Sequence, residues 1–278
     1  MKDKLVLTQY QIHTSLPASI TVALVADLHE HDPKPLLHLI KQAKPDLILV
    51  AGDTFERREK GRIYDCMEKQ STIKKLIKAL AYKFDDLFDA FANTKNITSE
   101  NSYRFLQEAS KICSADGRTA AQIFLSPGNH DPYFNPEDYK VMEKTGATLL
   151  DNADCTAIVR GQNIRIGGLS SKPDLKWLSE FASKDGFKIL LCHHPEYYFR
   201  YIKDRFDFNL ILSGHVHGGQ WRIGNQGIYS PGQGLFPKYT RGVYDQRLVI
   251  SAGCANTASV PRFGNPCELV VLKLAGCA

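Results

Sequence analysis

Two short runs of apolar residues near the start of the chain constrain the fold most strongly. Residues 20–26 and 46–51 are almost continuously apolar and rich in β-branched side chains, which is typical of strands buried on both faces. Between them, Asp32 and Pro33 fit the start of a helix, and Pro45 marks its end. A strand, a helix and a second strand at this spacing predict a βαβ unit, and therefore an α/β fold with parallel strands.

Polar residues follow these two strands and three further predicted strands, at the point where each strand ends. They are Asp27 and His29, Asp53, Asn129 and His130, His193, and His215 with His217. Because the carboxyl ends of parallel strands meet at one edge of a sheet, we expect these side chains to lie close together. Each of them alone has an ordinary explanation as a cap or turn residue. Their recurrence at five strand ends favours a shared site.

The chemistry of this set predicts a metal centre. Imidazole, carboxylate and amide ligands together suit divalent ions such as Mn, Fe, Ni or Zn. The set contains more candidate ligands than a single ion binds, so the pattern indicates two ions that share a bridging carboxylate.

The order of the motifs resembles that of a known enzyme superfamily. D-x-H, G-D, G-N-H-D, H and G-H-x-H follow one another over residues 27–217, as in the calcineurin-like metallophosphoesterases. Two short stretches, around residues 214–220 and 262–266, are similar to a bacterial phosphodiesterase-like branch. The resemblance implies a four-layer αββα sandwich.

The resemblance also implies a role for each residue. It assigns Asp27, His29 and His217 to the first ion, Asn129, His193 and His215 to the second, and Asp53 to the bridge between them. His130 would act on the substrate, as a proton donor or charge stabiliser at the leaving oxygen. Glu56 stands where the family more usually has an Asp that orients this His, and its longer side chain leaves that role open. A water activated by the two ions would attack the phosphate in line, without a covalent enzyme intermediate.

Residues 57–120 interrupt the α/β pattern. Apolar residues recur at helical spacing over 73–91 and again through Tyr103 and Leu106, which predicts a helical hairpin inserted into a single domain of residues 1–278. The segment holds 13 basic and 9 acidic residues, and therefore most of the net charge of +5. We expect its apolar face to pack on the body of the protein. A lid over the site, a dimer contact and a membrane contact are the alternatives.

The composition of the chain indicates in which cellular compartment the protein acts. No apolar run approaches the roughly 20 residues of a membrane span, and the first ten residues lack the apolar core of a signal peptide. The seven cysteines are scattered and include no C-x-x-C pair, which argues against a disulfide framework and a zinc ribbon. These features predict a cytoplasmic protein, and they leave its oligomeric state open.

A metal-dependent phosphohydrolase is the function that these features favour, with phosphodiesterase ahead of monoesterase because of the bacterial resemblance. A nuclease or nucleotide pyrophosphatase is the alternative among enzymes, but the basic residues of 57–83 are accompanied by few aromatic residues expected to be exposed, so nucleic acid is not the favoured partner. A non-catalytic metal-binding scaffold for protein contacts is the alternative from another class, and it is disfavoured because no ligand is missing. We expect Arg57 to be a surface group, His194 to be structural, and His31 and His38 to be exposed.

Overall fold

Two six-stranded sheets form the centre of the protein. The computed structural model describes residues 4–57, 98–117, 119–230, 233–256 and 261–276. The strands of the first sheet are, in spatial order, β1 (Leu5–His13), β16 (Cys267–Ala275), β2 (Ile20–Val25), β3 (Leu47–Ala51), β4 (Gln122–Ser126) and β5 (Thr148–Leu149). The strands of the second sheet are β14 (Gly242–Tyr244), β15 (Leu248–Ile250), β9 (Leu210–Ser213), β8 (Phe187–Cys192), β7 (Gln162–Leu169) and β6 (Ala153–Val159).

The strands that lead to the predicted site are parallel to their neighbours. In the first sheet, β2 to β5 run parallel, and in the second sheet β7, β8, β9 and β15 do so. The carboxyl ends of β2, β3 and β4 therefore emerge at one edge of the first sheet. The strands before His193 and His215, β8 and β9, belong to the second sheet, so the predicted ligands come from two sheets and not from one. Two small ribbons follow β9, formed by β10 (Arg222–Ile223) with β11 (Gln226–Gly227) and by β12 (Tyr229–Ser230) with β13 (Gly234–Leu235).

Alternate residues of each strand divide the core into three layers. In β2, Val22 and Leu24 pack between the two sheets, while Ala23 and Val25 face the helices outside. The helices α1 (Lys34–Ala43), α2 (Glu100–Ala109) and α3 (Pro136–Thr145) cover the first sheet. The helix α4 (Leu175–Ala182) and the helical turns over 195–202 cover the second. The predicted α/β class and the four-layer αββα arrangement are confirmed.

The helix bounds reflect local signals in the sequence. Asn135 caps α3, because its side chain accepts hydrogen bonds from the backbone N–H groups of Glu137 and Asp138. Gly146 ends the same helix in a left-handed conformation. The segment after β8 forms only short helical turns, which end at residue 202.

The predicted insertion lies partly within the described residues. Its second helix is α2, and Phe105 and Leu106 are buried against the outer face of the first sheet. Its first helix, expected over 73–91, lies outside the described residues, so the hairpin and the insertion boundaries stay predictions. None of the helices in the described part of the chain has the length and apolar character needed to span a bilayer.

Candidate metal centre

Backbone hydrogen bonds join the loops that carry the predicted ligands. The N–H of Asp27 donates to the carbonyl of Gly52 at 3.2 Å, and the N–H of His29 donates to the carbonyl of Asp53 at 3.0 Å. The loop after β15 joins them, since the N–H of Ala255 donates to the carbonyl of Asp27 at 3.1 Å. The loops after β2 and β3 are therefore held side by side, and their carboxylates face the same space.

The backbone at these loops is strained. Asp27, His29, Asp53, His215 and His217 all have φ values between 45° and 72°. Non-glycine residues rarely adopt this left-handed conformation, and each instance costs on the order of 1–3 kcal/mol. Five of the seven predicted ligands thus carry strain, and such strain persists where the surrounding structure imposes it at a functional site.

Two glycines allow the loops to come this close. A Cβ on Gly128 would lie 2.0 Å from Oδ1 of Asp53, and a Cβ on Gly52 would lie 2.4 Å from Nδ1 of His193. Both distances are far below van der Waals contact. The glycines of the G-D and G-N-H-D motifs are therefore required by packing around the carboxylate.

Asp53 lies between the two groups of histidines. Its Oδ1 accepts a hydrogen bond of 2.8 Å from the backbone N–H of His130. Its Oδ2 lies 3.6 Å from Nε2 of His29 and 3.1 Å from Nε2 of His193. One oxygen of this buried carboxylate therefore faces imidazoles that the resemblance assigns to different ions, which is the geometry required of a bridging ligand.

The ring nitrogens that face Asp53 are suited to a cation. Nδ1 of His193 donates to the carbonyl of Ala51 at 2.7 Å, and Nδ1 of His29 bonds to Oε2 of Glu56 at 2.8 Å. Nε2 of each ring is left to face oxygen atoms, and Nε2 of His29 is buried without a hydrogen-bond partner among the described residues. A buried imidazole nitrogen that faces carboxylates is stabilised by a positive charge, which a proton supplies in the metal-free protein and a divalent ion supplies when it is bound. The residues present therefore fit a metal.

The remaining predicted ligands surround the same space. Oδ1 of Asn129 lies 3.1 Å from Nε2 of His193. Nε2 of His217 lies 3.9 Å from Oδ1 of Asp27, and the backbone N–H of His215 donates to the same carboxylate at 3.1 Å. Burial lowers the pKa of His215 and His217 well below the usual histidine value, so both rings are neutral, as metal binding requires.

His130 and Glu56 form a pair at the edge of the centre. Oε1 of Glu56 contacts Nδ1 of His130 at 2.6 Å, while Oε2 contacts Nδ1 of His29. Burial raises the pKa of Glu56, but the two imidazole hydrogen bonds outweigh burial and lower it to about 2. The sequence left open whether the longer side chain of Glu56 could orient His130. In the structure this side chain reaches both rings. The structure brings all nine predicted residues together, and their roles stay predictions.

The sequence did not predict the contacts that three residues make around the metal centre. A guanidinium nitrogen of Arg262 lies 3.2 Å from Nδ1 of His217 and donates to the carbonyl of Ala255 at 2.6 Å, although Arg262 lies 45 residues further along the chain than His217. Asp131 accepts from the backbone N–H groups of Phe55 and Gly128, and so supports both loops. Arg57 is not a surface group. Its buried guanidinium is bound to the carboxylate of Asp138.

The other histidines lie where the sequence predicted. His31 and His38 are exposed. His194 is buried, with Nε2 at 3.0 Å from Oγ of Ser171 and Nδ1 at 3.3 Å from Oε1 of Glu196.

Sequence comparison decides the family. Residues 20–219, which include every predicted ligand, match the profile of the calcineurin-like phosphoesterases. The chain belongs to the calcineurin-like phosphoesterase family. This membership accounts for the motif order and for the position of the ligand loops at the sheet edge.

Three bacterial proteins are moderately similar to this member of the calcineurin-like phosphoesterase family. Uncharacterized protein YpbG of Bacillus subtilis is 30% identical over 50% of this chain and 52% of its own length. Uncharacterized metallophosphoesterase Cj0846 of Campylobacter jejuni is 33% identical over 55% of this chain and 42% of its own length. Uncharacterized metallophosphoesterase YkuE of Bacillus subtilis is 26% identical over 87% of this chain and 72% of its own length. The chain thus spans about half the length of the first two relatives.

Proposed function

We propose that this protein hydrolyses phosphate esters with the help of two divalent metal ions, and that phosphodiesters are its preferred substrates. The position of Asp53 carries the proposal, because one of its oxygens faces His29 on one side and His193 on the other. The preference for diesters rests on the resemblance of residues 214–220 and 262–266 to phosphodiesterase-like proteins.

We propose, from the family resemblance, that the ligands divide between the two sides of Asp53. On one side Asp27, His29 and His217 would hold the first ion, and on the other side Asn129, His193 and His215 would hold the second. The mixture of nitrogen and oxygen donors suits Mn, Fe, Ni or Zn. When bound, the ions neutralise the phosphate and make a water nucleophilic near neutral pH.

The protein groups would position and protonate the substrate. Glu56 holds Nδ1 of His130, so the other ring nitrogen, Nε2, is available to donate a proton to the departing alkoxide. The side chain of His130 is 17% exposed, whereas that of His29 is fully buried. This difference supports a substrate-facing role for His130 and a ligand role for His29.

The location of the protein is a further part of the proposal. The seven cysteines are scattered along the sequence without a C-x-x-C pair, and Cys192 and Cys254 are buried. This pattern is typical of a reducing compartment, so we propose that the protein acts in the cytoplasm.

Hydrolysis of two p-nitrophenyl esters tests the proposed function. Bis-p-nitrophenyl phosphate and p-nitrophenyl phosphate are offered to protein supplied with Mn and to protein treated with EDTA. We expect Mn-dependent hydrolysis that is faster on the diester, and a loss of at least about 100-fold in Asp53→Asn. The matched control is Asp151→Asn, since Asp151 is exposed in a turn.

Each other outcome has a definite meaning. Faster hydrolysis of the monoester would identify a phosphatase. Absence of turnover on both esters, with two ions bound per chain, would contradict the proposed function and favour a scaffold.

A further inference from the structure

Large apolar side chains are exposed beside the metal centre. We call five of them the apolar rim, namely Trp221, Ile223, Leu235, Phe236 and Phe263, with exposed fractions between 44% and 73%. Their backbones adjoin, because Trp221 bridges to Phe263, and Ile228 bonds to Trp221 on one side and to Phe236 on the other. Exposed apolar groups that cluster in this way mark a binding surface.

The fold causes these apolar side chains to be exposed. Arg222, between Trp221 and Ile223, points inward and donates to the carbonyl of Gly218 at 2.8 Å and to Oγ1 of Thr240 at 2.7 Å. The strand therefore buries its charged residue and exposes its apolar ones, which reverses the usual pattern.

Phe236 is the most unusual member of the rim. It is 66% exposed and has a φ of 52°, a conformation that bulky residues avoid. Its backbone N–H is fixed to the carbonyl of Ile228 at 2.8 Å. An aromatic ring held in solvent at the cost of backbone strain is expected at a functional site.

Phe236 also lines a cavity of about 340 Å³. Phe199 and Tyr239 form part of its wall and stack with ring centroids 3.8 Å apart. Lys238 lies at the same cavity, with Nζ 5.2 Å from the centre of the Tyr239 ring. The wall therefore offers aromatic surface and one cation.

The side chain of Glu196 lies between the cavity and the site predicted for the second ion. Glu196 lines the cavity, and its Oε1 lies 3.8 Å from Nε2 of His215 and 3.3 Å from Nδ1 of His194. This carboxylate therefore lies close to two imidazoles. The sequence contains no Asp or Glu between Asp207 and Asp245, so the β10–β13 segment adds no negative charge to the cavity.

We propose that this cavity binds an uncharged aromatic group of the phosphate ester substrate, on the His215 side of the metal centre. The proposal rests on the proposed function and adds a substrate class to it. The ring would pack on Phe236 and the neighbouring aromatic wall, with Lys238 at the edge of the Tyr239 ring, while the phosphate lies at the metal centre. Burying one ring of the size of Phe favours binding by about tenfold or more.

Two diesters with the same leaving group isolate the contribution of the ring. Methyl p-nitrophenyl phosphate and phenyl p-nitrophenyl phosphate both release p-nitrophenolate, so they differ chiefly in the group that stays on phosphorus. We expect kcat/KM to favour the phenyl ester by about tenfold or more. Phe236→Ala should reduce this ratio at least about threefold. Ile158→Ala is the control, since Ile158 is 67% exposed on β6.

Equal kcat/KM values for the two esters would overturn the proposal, as would a ratio that Phe236→Ala leaves intact. A binding measurement separates this failure from failure of the proposed function. Calorimetry compares phenylphosphonate with methylphosphonate on the Mn-loaded protein and on Phe236→Ala. Phenylphosphonate binding about tenfold more tightly, with the gain lost in the variant, supports the cavity even where neither ester is hydrolysed. Equal affinities overturn it.

Discussion

Replacing Glu56 by Gln tests the contact that links the metal site to the proposed proton donor. In the native protein, one carboxylate accepts hydrogen bonds from His29 at 2.8 Å and from His130 at 2.6 Å. Gln has nearly the same length but only one accepting oxygen. Its amide N–H₂ would meet the second imidazole N–H, so one of the two contacts is lost.

The size of the effect follows from this loss. A hydrogen bond to a charged group contributes about 1.5–3 kcal/mol. Lost from the transition state, this corresponds to a decrease of about 10- to 150-fold in kcat. If the amide oxygen turns to His130 instead, His29 loses its partner, and the affinity for metal decreases by a similar factor.

Steady-state hydrolysis of bis-p-nitrophenyl phosphate at saturating Mn measures the first effect, and calorimetric Mn titration measures the second. Glu143→Gln is the control, because Glu143 is exposed on α3. Native kcat together with native Mn affinity in Glu56→Gln would refute the reasoning.

Two further predictions concern metal binding and packing. Burial lowers the pKa of His29 and His193, but hydrogen bonds and charge from the facing carboxylates raise them more, to about 9 and about 10. Both rings are therefore protonated in the metal-free protein at pH 7, and calorimetry in buffers of different ionisation enthalpy should detect release of about two protons on Mn binding. Proton release should diminish, and the apparent affinity for Mn should rise, as the pH increases towards 10. Mn binding without proton release would contradict this prediction. Gly214→Ala should lower the free energy of unfolding, measured in urea, by about 1–3 kcal/mol. The reason is that the added Cβ would lie 2.8 Å from Oδ2 of Asp27. Unchanged stability would show that the loop moves to accommodate the added methyl group.

The position of the site could be predicted because its residues follow strands with strong local signals. The strand before Asp27 is fully buried, so its composition is uniformly apolar and its end is sharply defined. The strand before Asp53 has the same character. Parallel pairing then determines that both ends meet.

Other features have no local signal. The edge strand β1 alternates between exposed and partly buried residues, and its pairing with β16 joins Leu5 to Cys267 at the far end of the chain. Arg262 reaches His217 only after the ribbons have folded. The reach of Glu56 to two imidazoles depends on loop geometry that spacing alone does not define.

Titration of the metal-free protein with Mn, with binding and hydrolysis followed in the same sample, tests the central claim most directly. We expect binding of two equivalents per chain and bis-p-nitrophenyl phosphate hydrolysis that appears only as the second equivalent binds. In Asp53→Asn, both the second equivalent and the hydrolysis should be lost. Full hydrolysis in the presence of EDTA, or two bound equivalents without hydrolysis of any phosphate ester, would contradict a two-metal phosphoesterase.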